Sequence, residues 1–239
     1  MSDSHGVVGA AVVDAGVVDA AAVDSVVAVD LADTSRAVIG RESRFSGLVW
    51  DVDTETVDLG DGQVVRRDVI RHTGAVGIIA IDAHDRVLLV GQYRHPVRAM
   101  LWEPPAGLMD IAGEDPLLCA HRELLEEAHQ VADTWNVLVD LLTSPGGSDE
   151  CLRIYLARDV SLASGEPIVG HGEERDMPRT WLDLDVAVAR VLNGELHNPA
   201  ACTGILAAFA AKATGWASLR AADASWGHWR TARKGRGSA

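Results

Sequence analysis

Between about residues 49 and 92 short apolar runs are cut by turn-forming residues, and from about residue 115 apolar positions also fall at helical spacing. Val49 to Val57 and Val64 to Ile70 read as two strands joined across the Gly60-Asp61-Gly62 turn, an N-terminal antiparallel element. Gly77 to Asp82 and Val87 to Gln92 predict a second hairpin around Ala83-His84-Asp85. A loop rich in Pro and Gly follows. The next element is a helix from about Asp115 to His129, opened by Pro116, whose missing N–H costs nothing in a first turn. Val137 to Leu142 and Leu152 to Ala157 are further strands, and Trp181 to Leu192 and Ala200 to Ala213 read as helices. The order predicts an α/β (α+β) fold, a mixed sheet sandwiched between helices with an N-terminal antiparallel strand element.

The ends of the chain depart from this pattern. Residues 1–35 form a Val/Ala/Asp tract in which Asp14, Asp19 and Asp24 recur every five residues, a period that suits neither a helix face nor a strand face. It reads as a disordered or weakly helical extension. With no Lys or Arg before Arg36, and with Asp14, Asp19, Asp24 and Asp30 interrupting its apolar patches, it resembles neither a secretory leader nor a membrane span. From Ser218 onward Arg220, Arg230, Arg233, Lys234 and Arg236 oppose only Asp223, which predicts a frayed, solvated, basic terminus whose removal leaves catalysis unchanged. The expected organisation is an extension over 1–35, a β element over 36–73, a main domain over 74–215 and a flexible tail over 216–239.

A length of 239 residues and 48% hydrophobic content allow one substantial core. The net charge of -14 argues against nucleic acid held by a general basic surface, so an anionic substrate needs a metal or a few arginines. Cys119, Cys151 and Cys202 are widely spaced and odd in number, as in a reduced cytoplasmic protein with structural thiols. No membrane partner is expected.

The informative run is GLMDIAGEDPLLCAHRELLEEAHQ, Gly107 to Gln130. On a helix Glu123, Glu126 and Glu127 share about a third of the circumference, while Leu117, Ala120, Leu124, Leu125 and Ala128 take the other side. Three carboxylates so spaced repel one another unless a cation sits among them, and oxygen-only ligation favours Mg²⁺ or Mn²⁺ over Zn²⁺. On spacing alone, a solvated acidic face with Arg122 as counter-charge is the competing reading.

The same run resembles the box of the Nudix hydrolase family: Gly, five residues, Glu, seven residues, then Arg-Glu-aliphatic-x-Glu-Glu-x-Gly-aliphatic. Gly107, Glu114, Arg122, Glu123, Leu124, Glu126 and Glu127 match. Six residues rather than five separate Gly107 from Glu114, and His129 and Gln130 stand where the pattern has Gly and an aliphatic residue. His129 is expected to cap the last helical turn, where the helix dipole favours a cation. The resemblance implies metal ligation by Glu123, Glu126 and Glu127 with the backbone carbonyl of Ala106, and an Arg122–Glu114 brace for the loop. Glu127 would also be catalytic. Divalent ions on a pyrophosphate neutralise charge, polarise phosphorus and hold the attacking water.

Outside the box, Pro145, fifteen residues beyond Gln130 within SPGGSDE, and the run GQYRHPVRAMLWEPPAGLMD resemble the ADP-ribose pyrophosphatase branch. That likeness implies Arg94 and Arg98 on phosphate, and Glu103 and Glu150 near the ribose or metal. It also implies that Glu173 or Glu174 activates water. The branch forms homodimers, so Arg66 or Arg67 would reach the partner's substrate, and Phe45 or Trp50 would stack on adenine or fill the interface. The implied reaction is Mg²⁺-dependent hydrolysis of ADP-ribose to AMP and ribose 5-phosphate. Competing readings are another nucleotide sugar such as GDP-mannose, or a binding module without catalysis, which the intact glutamate triad disfavours.

Overall fold

The computed structural model describes residues 35–168 and 177–226, with Asp30, Ala32 and Asp33. Glu173, Glu174 and nearly all of the N-terminal tract lie outside the described residues. The chain divides into Met1–Thr34 and Ser35–Ala239, and the fold belongs to the second unit.

Three strands, β1 (Ala37–Ser46), β2 (Asp51–Asp58) and β3 (Val64–Arg71), make an antiparallel sheet in that order. The β2–β3 turn has positive φ at Gly60, Asp61 and Gly62, which explains the two glycines there. β1 was not foreseen. Its residues are almost all exposed and its centre is Arg-Glu-Ser-Arg, so no alternation marks it; the ladder to β2 makes it a strand.

The main sheet runs β11-β8-β9-β4-β7, built from β4 (Ala75–Ala80), β7 (Ala106–Leu108), β8 (Gln130–Leu142), β9 (Cys151–Leu162) and β11 (Arg220–Ala221). It is mixed, with β4 and β9 parallel and the other pairs antiparallel. Side chains alternate across it. Val76, Ile78, Ala80, Tyr155 and Ala157 face Cys119, Ala120, Leu124 and Ala128 of α1 (Pro116–Ala128). Ile79, Ile81, Ile154 and Leu156 face Ala200, Ala201, Ile205 and Ala208 of α3 (Pro199–Ala213). A Cβ at Gly204 would lie 2.6 Å from Ile79, so the glycine lets α3 approach β4 closely. Each fully buried Leu or Ile in these layers contributes about 1.5–3 kcal/mol.

A third sheet, β10-β5-β6, joins Arg179–Asp183, Arg86–Arg94 and Ala99–Glu103. It corrects three expectations. The predicted hairpin of β4 with β5 keeps its turn, but beyond an Ile81–Val87 bridge the two strands enter different sheets. The Pro/Gly-rich segment carries β6 and β7. Trp181 belongs to β10, and the helix starts later, as α2 (Leu184–Leu192).

Residues 220–226 are not a frayed tail. β11 pairs with β8, Trp226 is 7% exposed, and its ring lies 4.9 Å from the Arg153 guanidinium. Arg153 donates to the carbonyls of Ala224 (2.7 Å) and Ser225 (3.1 Å) while paired with Asp140. The basic residues disguised an apolar anchor.

No helix among the described residues is long and apolar enough to cross a membrane. Cys119 and Cys151 are buried and Cys202 is half-buried, all three as thiols.

Candidate active site

α1 forms where the sequence signals place it. Asp115 caps its start by accepting from the Leu117 amide at 2.8 Å, with Pro116 in the first turn. At its end His129 adopts the left-handed conformation (φ 54°), and its N–H satisfies the Leu124 and Leu125 carbonyls. Histidine thus takes the backbone role of a glycine. Its imidazole is buried and Nδ1 has no hydrogen-bond partner, so His129 caps through its backbone rather than as a surface charge at the helix dipole.

The carboxylates hang from this helix. Arg122 grips Glu114 at both oxygens, Nε to Oε1 at 3.0 Å and Nη2 to Oε2 at 3.1 Å. The brace forms with six residues between Gly107 and Glu114. Hydrogen bonding from Arg122 holds Glu114 below the usual carboxylate range, and Glu114 in turn raises Arg122 above its ordinary value. Arg122 Nη1 bridges Glu123 (2.6 Å) and Glu126 (3.2 Å). Glu127 turns inward and accepts from the Ala106 amide at 3.0 Å, tying the helix to β7. It is only 6% exposed, so the acidic face and the apolar seat overlap instead of opposing each other. Burial pushes the Cys119 thiol up to about 12, which leaves it a packing group among these charges.

Gly107 sets the approach of strand and helix. A Cβ there would collide with the Glu123 carboxylate, so only glycine leaves that side chain room against β7. Among the described residues no three acidic, His or Cys side chains stand as a ready cation cage. The donor set still fits a hard divalent ion: three carboxylates on one helix, with Arg122 Nη1 bridging two of them.

The other predicted residues occupy three places. Arg94 pairs with both oxygens of buried Glu103 (2.9 and 2.6 Å), three residues before Ala106. Arg98 is exposed in a left-handed turn after the one-turn 3-10 helix His95–Val97. Glu150 accepts from the Thr143 hydroxyl and lies 3.6 Å from His72 Nε2. Arg66 and Arg67 are exposed on β3, and Arg66 lines a cavity of about 480 Å³ with Arg44, Val52, Thr54 and Asp68. Phe45 and Trp50 are also exposed, with Trp50 6.3 Å from the His72 ring. Sequence reasoning missed His72, Thr143, Arg71 and Asp149. Asp149 sits in the SPGGSDE run already singled out, whereas His72 and Arg71 ended a strand without a motif.

A profile of the NUDIX domain matches residues 71–200, more than half of the chain. The chain belongs to the Nudix family. Its Nudix box is the β7–α1 unit just described. An ADP-ribose pyrophosphatase of Mycobacterium tuberculosis (strain ATCC 25618 / H37Rv) is 43% identical over 196 residues, 82% of this chain and 93% of that protein. A methanol dehydrogenase activator of Bacillus methanolicus is 34% identical over 160 residues, 67% of this chain and 85% of that protein. A solved ADP compounds hydrolase shares the fold, with a TM-score of 0.63 at 21% identity, covering 75% of this chain and 96% of that one.

Proposed function

We propose that this Nudix protein hydrolyses ADP-ribose to AMP and ribose 5-phosphate. Water adds to one phosphorus as the bridging P–O bond breaks, and the second phosphate leaves with its ribose. The observation that carries the chemistry is the Nudix-box arrangement of Glu123, Glu126 and Glu127 on α1, with Glu123 given room by Gly107 and Glu127 tied to Ala106. Kinship to an ADP-ribose pyrophosphatase across most of both chains supports the substrate.

In this reading Glu123, Glu126, Glu127 and the Ala106 carbonyl hold Mg²⁺, for which Mn²⁺ would substitute. The ion supplies charge neutralisation on the diphosphate and acidifies water. Arg94, oriented by Glu103, and Arg98 bind phosphate, while Glu103 and Glu150 border the ribose or the metal. Glu173 or Glu174 takes the proton from water. A homodimer built through β1–β3 would bring Arg66 or Arg67 to the partner's substrate, with Phe45 or Trp50 against adenine. Three cysteines held as thiols accord with a reducing cytoplasm.

Initial rates on ADP-ribose, GDP-mannose, NADH and diadenosine polyphosphates, with products identified, test the substrate. ADP-ribose should rank among the best, and the reading fails if it does not. Glu127→Gln keeps an acceptor for the Ala106 amide, so the fold should persist while activity drops at least about a hundredfold. Near-normal turnover would sink the metal-site assignment.

A further inference from the structure

The N-terminal sheet carries a charge cluster that reaches outside it. Arg71, the last residue of β3, donates from Nε to Asp53 (3.1 Å) and from Nη1 to Asp149 (3.2 Å), and Nη2 pairs with Glu55. Arg41 also binds Glu55, at 2.7 Å. Two guanidinium groups therefore face three carboxylates, and Arg71 touches all three. Asp53 and Glu55 belong to β2, but Asp149 belongs to the loop between β8 and β9.

That loop is held to the end of β3 by its backbone as well. Ile70 donates to the Gly147 carbonyl at 2.9 Å, Asp149 donates to the Ile70 carbonyl at 3.1 Å, and the His72 amide reaches the second oxygen of Asp149 at 2.7 Å. Pro145-Gly146-Gly147-Ser148 contains two adjacent glycines, which lose the most conformational freedom on ordering, so the loop depends on such external restraints. The next residue is Glu150, clasped at the loop neck by Thr143 and beside His72. Arg71 and Asp149 are mostly buried (16% and 25% side-chain exposure), where salt screens a pair less than at the surface.

We propose that Arg71 is a positioning residue for substrate, acting through Asp149 to hold the 143–150 loop and with it Glu150. The role in binding rests on the proposed ADP-ribose reading, whereas the ordering of the loop does not. Removing the guanidinium leaves Asp149 with the His72 amide and leaves Asp53 and Glu55 to Arg41.

The test combines kinetics with hydrogen exchange on the full chain. Arg71→Gln should raise KM for ADP-ribose about tenfold to a hundredfold, the range for losing a hydrogen bond to a charged group, with kcat and the Mg²⁺ half-saturation nearly unchanged. Asp149→Asn should reproduce the KM shift, and the double variant should add little to either single one. Arg71→Lys, which keeps the charge without the fork, should recover part of the affinity. Asp58→Ala, which removes the acceptor of the Gly60 amide at the far end of β2 and does not touch Arg71, should leave KM near wild type. Amides of 143–150 should exchange faster in Arg71→Gln and Asp149→Asn.

An unchanged KM in Arg71→Gln, fully additive effects, or equal damage from Asp58→Ala would overturn the proposal. If wild-type protein spares ADP-ribose, the substrate reading has failed. The KM arm then moves to the best substrate of the panel, and unchanged exchange in the loop would still refute the clamp.

Discussion

Replacing Gly107 with alanine separates the site from the fold. No positive φ is required at Gly107, so alanine is acceptable to the backbone and the whole effect comes from one methyl group. That methyl would fall on the Glu123 carboxylate and 2.5 Å from its Cγ. The obstructing atoms are the outer end of a flexible side chain, so Glu123 can swing aside. An off-rotamer side chain costs about 0.5–1.5 kcal/mol, far less than distorting β7. For a domain of this size that lowers Tm by roughly 1–6 °C. Swinging aside breaks the 2.6 Å bond from Arg122 and removes a proposed metal ligand from the cluster. Displacing groups that orient a metal site typically costs about 10- to 100-fold in affinity or activity. Gly107→Ala should therefore remain folded by circular dichroism, melt only slightly lower, turn over ADP-ribose about 10- to 100-fold more slowly and need more Mg²⁺ for half-maximal rate. Normal turnover with unchanged Mg²⁺ dependence would refute the claim that Glu123 works where the structure puts it. A collapse of Tm beyond that range would show that the glycine serves the backbone instead.

Two further outcomes follow from packing and charge. Trp226→Ala removes a ring 7% exposed and takes from Arg153 the nearer of its two aromatic neighbours, leaving Tyr155 at 6.0 Å; the loss of about 3–5 kcal/mol should lower Tm by roughly 6–20 °C, and an unchanged melt would contradict the anchor. Deleting residues from Ser218 onward should cost at least as much, because Arg153 also loses the Ala224 and Ser225 carbonyls. His121 stacks on Trp135 with centroids 4.2 Å apart, and burial lowers its pKa. The unfolded chain then takes up a proton near the ordinary histidine value while the folded one resists, so stability falls as pH drops below about 6.5. His121→Phe, which keeps a ring but does not titrate, should lose less stability between pH 7.5 and 5.5 in urea unfolding; equal losses would show that His121 carries none of that dependence.

Local chemistry made much of the box legible in the sequence. Asp115, Pro116 and the helical spacing placed α1 within a residue at each end, because caps and periodicity act over a few neighbouring residues. The pairing of Arg122 with Glu114 was also foreseeable through the family resemblance. β1 was not, since an exposed polar strand has no alternation to read and exists through its partner β2. The β4–β5 turn was legible but the parting of its strands was not, because a turn dictates direction for a few residues whereas sheet membership depends on segments far along the chain.

By itself the sequence determined the box helix, its acidic residues and the layered α/β class, all set by local spacing and composition. Tertiary structure decided that Glu127 is buried against Ala106, that Arg71 reaches Asp149 seventy-eight positions away, and that Trp226 seals the core beside Arg153. The physical reason is common to these three. A charge or an indole reads as solvent-exposed in sequence, and only a partner brought in from a distant segment makes its burial favourable.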